Sequence, residues 1–226
     1  MQKIVFCDFD GTISKEDSTD LILECFSIRD NWRGVEEKWQ NGFIGSRDCL
    51  IEQFKDVHAN QLDIELLVER LHIENGFVEF VQFCKAKGLQ FYIVSAGINS
   101  VIRKFLQIHK IDGVDNIYAN DIQYFPNGVV QFNCMTDTAG YNCNHDLACA
   151  NCKPAIVNEV LRSHNASHQD AIYIGDGLSD LLAAMECSTI FAREKLCSAL
   201  QERAVVSRKF TTFFDIISSL SRLETL

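Results

Sequence analysis

Short, nearly unbroken apolar runs recur at wide intervals along the chain: Lys3 to Cys7, Gln90 to Val94, Ala171 to Ile174 and, more weakly, Thr189 to Ala192. Continuous apolar character suits a strand whose sheet is covered on both faces, as in parallel sheets flanked by helices. The intervals carry a different period. From Asn75 to Lys87 the apolar residues Phe77, Val78, Phe80, Val81 and Cys84 fall at helical spacing, and Gly88 is suited to stop the run. A further helix is predicted from Pro154 to about Arg162, with proline in the first turn, where its missing N–H costs nothing. Strands alternating with helices predict an α/β domain with a Rossmann-like parallel sheet. Right-handed crossovers then bring the strand C-termini to one edge, where ligands bind in such sheets.

Two segments break this alternation. From about Glu16 to Ile73 the pattern gives four helices and no convincing strand: Ser18 to Ile28, Asn31 to Gln40, Ser46 to Val57, and Gln61 to Leu71. Ser18 and Ser46 are the expected N-caps. The expected division is an α/β core made of residues 1–15 and 75–226, with an all-helical insertion at 16–74 following the first strand. The second interruption spans Ile117 to Cys134, where alternating residues flank Pro126-Asn127-Gly128 and predict a small β-hairpin.

Composition narrows the possibilities. The chain has 226 residues, 47% hydrophobic and 23% charged, which is ordinary globular usage and enough to bury a substantial core. Its formal net charge of −10 repels nucleic acid and anionic lipid. An anionic substrate would meet the same repulsion, so it needs a local cation: a metal ion, a lysine or arginine, or a helix N-terminus. No run approaches the roughly 18 apolar residues of a membrane span, and Ile4-Val5-Phe6 is too short for a signal peptide. The expectation is a cytosolic protein, monomer or homodimer, with no nucleic-acid or membrane partner.

The candidate chemistry sits where the predicted strands end. In "FCDFDGT", Asp8 and Asp10 follow the first strand two residues apart, so their side chains project the same way past the sheet edge. One carboxylate could attack phosphorus while the other exchanges a proton with the leaving oxygen and then with water. An acidic turn or a structural cation site is the plainer alternative. Ser95, after the second strand, offers a hydroxyl beside the backbone N–H groups of Ala96 and Gly97, although serine there also suits a helix cap. Lys153, just before Pro154, stands at a helix start, where the dipole disfavours a cation unless an anion compensates. "GDGLSD" places Asp176 and Asp180 after the third strand, and Asp176 is the best candidate ligand for magnesium, which prefers oxygen donors. Together these supply a nucleophile, an acid/base, a phosphate clamp, a cation and a metal ligand.

In this order the motifs Asp8-Phe9-Asp10-Gly11-Thr12, Ser95, Lys153 and Gly175 to Asp180 resemble those of the haloacid dehalogenase superfamily of phosphatases. The resemblance implies that Asp8 is the nucleophile and a Mg2+ ligand, and that Asp10 is the acid/base with its carbonyl on the metal. It further implies that Ser95 and Lys153 bind the phosphoryl group, that Asp176 ligates Mg2+, and that Asp180 ligates it or holds the loop. The helical insertion and the hairpin resemble those of the phosphoserine phosphatase branch, which implies a cap domain and a small phosphorylated metabolite as substrate. Within that branch "CNHDLACANCKP" resembles the methionine-salvage phosphatases and, more distantly, phosphocholine and phosphoethanolamine phosphatases. Dehalogenation fits poorly, since a halide leaves without a proton and gives Asp10 no task. Transfer to another acceptor, or a phosphate-binding module without turnover, remain as alternatives.

Ten cysteines occur, and Cys143, His145, Cys149 and Cys152 form a C-x-H-x3-C-x2-C set compatible with a structural Zn2+. Buried thiols or a labile disulfide fit the same residues. Arg47, in "WQNGFIGSRD", is the candidate specificity residue of the helical insertion.

Overall fold

A computed structural model describes residues 3–138 and 147–223. The chain enters through β1 (Ile4–Cys7) and then forms four consecutive helices, α1 (Ser18–Phe26), α2 (Trp32–Gln40), α3 (Ser46–Phe54) and α4 (Gln61–Val68). Next come α5 (Phe77–Lys87), β2 (Gln90–Ile98), α6 (Asn99–Ile108), β3 (Asn116–Tyr124), β4 (Val130–Asn133) and the single turn α7 (Met135–Thr138). The last third holds α8 (Lys153–Ser163), β5 (Ala171–Gly175), α9 (Leu181–Met185), β6 (Thr189–Ala192), α10 (Glu194–Glu202), β7 (Arg208–Lys209) and α11 (Phe213–Leu223). The strands make one sheet in the order β4-β3-β2-β1-β5-β6-β7. Every neighbouring pair is parallel except β3 with β4, so the fold is the α/β, Rossmann-like one that the apolar runs predict.

Alternate residues of each buried strand feed different layers. Val5, Cys7, Phe91, Ile93, Ile172 and Ile174 pack toward α5, α6 and α11, whereas Ile4, Phe6, Tyr92, Val94 and Tyr173 pack toward α8, α9 and α10. On the first face Phe77, Phe80, Phe91 and Phe213 form an aromatic group with ring centroids 5.0 to 5.9 Å apart. Apolar residues of α1 and α4, among them Ile22, Leu23, Ile64 and Leu67, merge with this same layer. Central β1 pairs in register with both neighbours, Cys7 lying opposite Ile93 of β2 and Ile174 of β5. That register brings Asp8, the end of β2 and the turn after β5 to one edge.

Three local expectations are corrected. Ser18 and Ser46 are not caps but the first residues of their helices: Asp17 caps α1 by accepting the Asp20 N–H, and Gly45 precedes α3. Strand β2 does not stop at Val94 but runs to Ile98, and its register with β3 shifts between Val94 and Ile98. Ser95 to Gly97 therefore lie inside an irregular stretch of strand rather than after it, because Asn120 and Asn151 hold their carbonyls in place of regular pairing. The hairpin forms as expected, with Tyr124 opposite Val130 and Gly128 at φ +83° in the turn.

Away from its chain ends, the four-helix segment is stitched to the rest by backbone bonds at two places. Ala59 N–H donates to Gly128 O (2.9 Å) and Val130 N–H to Val57 O (3.1 Å), joining the segment to the hairpin, and Phe54 packs on Phe132 with centroids 4.8 Å apart. At the start of α3, Arg47 N–H donates to Ala148 O and Ala150 N–H to Ser46 Oγ, both at 3.1 Å. A Cβ on Gly45 would lie 2.2 Å from Ala148 O, so only glycine allows that approach. No helix of the described residues is long and apolar enough to cross a membrane.

Candidate active site

The chain turns sharply at the end of β1, where Phe9 O accepts the N–H groups of Thr12, Ile13 and Ser14. Gly11 sits at φ +69°, and a Cβ there would come within 2.5 Å of Asp176 Oδ2. Glycine is thus required both for the turn and for the approach of β5's turn to β1's. Arg193 fastens this loop from the other side, donating to Gly11 O and Thr12 O while pairing with Glu74 at 2.9 Å.

Behind the loop lies a buried charge cluster. Lys153, the first residue of α8, is 1% exposed; its Nζ sits 2.9 Å from Asp8 Oδ2 and 2.6 Å from Asp180 Oδ1. Burial alone would lower the lysine pKa, but the two carboxylates outweigh it and push it up. Asp180 is 0% exposed and fully engaged: Oδ1 also accepts the Tyr173 hydroxyl at 2.7 Å, and Oδ2 accepts the N–H groups of Asp176 and Gly177. Among the described residues, Asp8 Oδ1 accepts only the Phe9 N–H, at 2.8 Å. Burial, then Asp180, raise the Asp8 pKa against the opposing pull of Lys153.

Asp176 accepts the Thr12 hydroxyl at 2.6 Å, and burial followed by repulsion from Asp180 pushes it up to about 6. Asp8, Asp176 and Asp180 each bring an oxygen within 4.8 Å of the others, the only such group among the described residues. An all-oxygen donor set suits Mg2+, and the raised carboxylates mark negative charge that a divalent cation would balance. Because Asp180 is consumed by four hydrogen-bond donors, Asp8 and Asp176 are the side chains that can hold the ion, with Asp180 as their support.

Asp10 Oδ1 accepts the Ser18 N–H at 2.7 Å, and burial, then Asp17, raise its pKa. Its Oδ2 lies so near Gly97 that a Cβ there would be 2.4 Å away. Ser95 Oγ accepts the Gly97 N–H at 2.9 Å, which occupies that N–H but leaves the serine hydroxyl hydrogen to donate. Asn151 Nδ2 bonds Ser95 O (2.7 Å) and Tyr118 O (2.9 Å), and Asn120 Nδ2 bonds Ala96 O (2.6 Å), fixing this stretch from both sides. A cavity of about 420 Å³ opens over the site, walled by Asp8, Asp10, Ser95, Ala96, Gly97 and Asp176 below and by α1, α2 and α3 above.

The structure brings together Asp8, Asp10, Ser95, Ala96, Gly97, Lys153, Asp176 and Asp180. It does not bring Arg47, whose guanidinium is bound to Asp137 at 3.0 and 3.1 Å and borders a separate groove near the hairpin. Cys143 and His145 lie outside the described residues; Cys149 is half-buried and Cys152 buried. Zinc finds no support in the described residues or in the relatives below. Tyr173, Asn120, Asn151 and Thr12 carry supporting roles that the sequence reading did not assign. Only Thr12, inside the first motif, and Asn151, two residues before Lys153, were marked by their neighbours.

A sheet of this order with an aspartate-lined cleft at its carboxyl edge defines a haloacid-dehalogenase-type phosphatase. The family model described as Putative Phosphatase matches residues 3–197, and the chain belongs to that family of phosphoric monoester hydrolases. Similar proteins include a 2-hydroxy-3-keto-5-methylthiopentenyl-1-phosphate phosphatase of Geobacillus thermodenitrificans, 29% identical over 100% of this chain and 98% of the relative. The protein of the same name from Bacillus thuringiensis subsp. konkukian is 30% identical, over 97% and 96%. Among solved structures, a substrate-bound phosphoserine phosphatase superposes with a TM-score of 0.75 at 17% identity, covering 97% of this chain and 98% of that one. A phospho-aspartyl intermediate analogue of phosphoserine phosphatase gives 0.74 at 17% identity, covering 96% and 98%.

Replacing Lys153→Met should cost about 3–5 kcal/mol in urea unfolding, because Asp8 and Asp180 are left buried without their cation. Asp176 gives a pH test. A carboxyl whose pKa is raised on folding favours the folded state while protonated, and that contribution is lost as pH climbs through about 6. In metal-free protein, the melting temperature of Asp176→Asn relative to wild type should therefore rise between pH 4 and pH 7. A difference that is flat across this window contradicts the assignment.

Proposed function

We propose that the chain hydrolyses a small phosphorylated metabolite in a magnesium-dependent reaction that passes through a phosphoryl group on Asp8. The observation that carries this reading is the buried Lys153 ammonium, 2.9 Å from Asp8 Oδ2, where Asp8 and Asp10 face the cavity beside Ser95. Asp8 Oδ2 attacks phosphorus while Lys153 offsets the charge gathering on the transferring group. The Ser95 hydroxyl and the Ala96 N–H bind phosphoryl oxygens. Asp10, whose raised pKa keeps a proton available, gives it to the departing oxygen, then takes one from the water that releases phosphate from Asp8. Mg2+ held by Asp8 and Asp176 would neutralise phosphoryl charge and keep Asp8 ionised.

In this reading residues 16–74 act as a cap over a core formed by 1–15 and 75–226, shielding the reaction from bulk water. The names of the 29–30% relatives make 2-hydroxy-3-keto-5-methylthiopentenyl-1-phosphate the substrate that sequence similarity favours. Cytoplasmic placement is supported by buried free thiols at Cys7, Cys49, Cys84 and Cys187.

Rapid acid quench during turnover should trap an acid-stable, hydroxylamine-sensitive phosphoryl group on wild type and none on Asp8→Asn, whose kcat should fall on the order of 10³-fold or more. Unchanged turnover in Asp8→Asn would exclude this site. Chelation should abolish activity, and MgCl2 should restore it. Mg2+ at about 100 times its Kd should also add about 2.7 kcal/mol to the unfolding free energy of metal-free protein, and a null melting shift would count against the ion.

A further inference from the structure

Strand β5 reads Ala171-Ile172-Tyr173-Ile174-Gly175, and every one of its residues is buried. Tyr173 alone in this strand has a polar side chain, and it is 0% exposed. Its ring packs in the layer of Ile4, Phe6, Val94 and Val157, on the side of the sheet that faces α8, α9 and α10. In register it lies opposite Phe6 of β1 and Ile190 of β6. A phenylalanine would fill nearly the same volume, and Phe6 beside it shows that the layer accepts one. A hydroxyl in such a layer costs free energy unless it is paired. Packing therefore accounts for the ring of Tyr173 and not for its oxygen.

The hydroxyl ends on the charge cluster at the sheet edge. It donates to Asp180 Oδ1 at 2.7 Å, the same oxygen that takes the Lys153 ammonium at 2.6 Å, while Lys153 also reaches Asp8 Oδ2 at 2.9 Å. Gly175 makes room for this meeting: a Cβ there would lie 2.5 Å from Asp180 Oδ2 and 3.1 Å from the Tyr173 ring. The phenol hydrogen sets partial positive charge beside the shared oxygen and so lowers its pull on the ammonium. Asp180 then holds Lys153 less firmly than it would alone. The proposed reaction requires that freedom, because once phosphorus is bonded to Asp8 Oδ2 the ammonium must serve the phosphoryl oxygens instead of that carboxylate oxygen.

We infer that Tyr173 is a positioning residue for the transfer step: its hydroxyl moderates Asp180 so that Lys153 stays shared with Asp8 and can follow the phosphoryl group. The inference rests on the hydrolytic reading above and gives the tyrosine no contact with substrate or with the reacting atoms. A purely structural hydroxyl would serve only to satisfy a buried carboxylate. Asp180 has donors on both oxygens without it, Lys153 on Oδ1 and the N–H groups of Asp176 and Gly177 on Oδ2.

The test is Tyr173→Phe, which removes one oxygen and keeps the ring. With p-nitrophenyl phosphate and MgCl2, kcat should fall by about tenfold, the order of one charged hydrogen bond, while KM changes by less than about twofold. Orthovanadate, whose five-coordinate form imitates the transferring phosphoryl group, should inhibit the variant more weakly by the factor that kcat/KM falls. A double-mutant cycle checks the route: in an Asp180→Asn background, where the charge being moderated is gone, Tyr173→Phe should cost little further activity. A variant that only melts lower, with kcat and vanadate inhibition unchanged, would overturn the inference, and so would an equal loss in both backgrounds. If Asp180→Asn does not fold, the vanadate comparison decides. Calorimetric binding of orthovanadate needs no turnover and keeps the two questions apart. Tighter binding to wild type than to Tyr173→Phe supports the positioning role even if no ester is hydrolysed, and equal binding defeats it while leaving the hydrolytic reading intact.

Discussion

One ammonium group between two buried carboxylates organises the carboxyl edge of this sheet. Lys153 binds Asp8, which follows β1, and Asp180, which in turn ties down the turn after β5. Three elements far apart in sequence thus meet at a single charge. The lysine stands at the start of α8, where the helix dipole works against it, and in a place closed to water. Only the combined pull of both carboxylates makes that position tenable, so the triad stands or falls as a unit. The loop carrying Asp10, the Thr12 bond to Asp176 and the close passage at Gly11 all assume that the two turns are held at this spacing.

Much of the core, and the meeting of its candidate residues at one edge, was legible in the sequence because both depend on local pattern. Unbroken apolar runs gave the parallel strands, and acidic residues immediately after them marked the edge where strand polarity gathers side chains. Legibility failed where a role depends on distant approach. Arg193 reaches Gly11 across 182 positions, and no local signal marks an arginine for that task. Ser95 to Gly97 read as a loop because the stretch is small and polar, yet neighbouring strands and two asparagines hold it extended. Arg47 looked like a substrate contact because it closely follows two glycines in a helical segment; tertiary packing gave it Asp137 instead. The caps were displaced by one residue for a simpler reason: Asp17 and Gly45 compete with the serines beside them.

The two segments that interrupt the α/β alternation lean on each other. The helices of residues 18–68 share an apolar layer with the sheet and exchange backbone bonds with the hairpin, so neither is an isolated appendage. A chain with net charge −10 has built a site that needs positive charge twice over, once for its own aspartates and once for what binds them. The cavity reconciles these demands by segregation, with the lysine and the metal-compatible carboxylates at the core end and Asp17, Asp20 and Glu36 at the cap end.

The stitches at Gly45–Ser46 and at the hairpin also bear on traffic. They pin one flank of the helical segment, while the described hydrogen bonds of α2 run only to its own helical neighbours. Asp8 lies deep, at 5% exposure, whereas Asp20 and Gln40 are exposed near the rim. In the proposed reaction the alcohol is therefore nearest the way out and the phosphoryl group farthest from it. Departure becomes a queue: the alcohol goes first, water follows it inward, and inorganic phosphate is the last to leave.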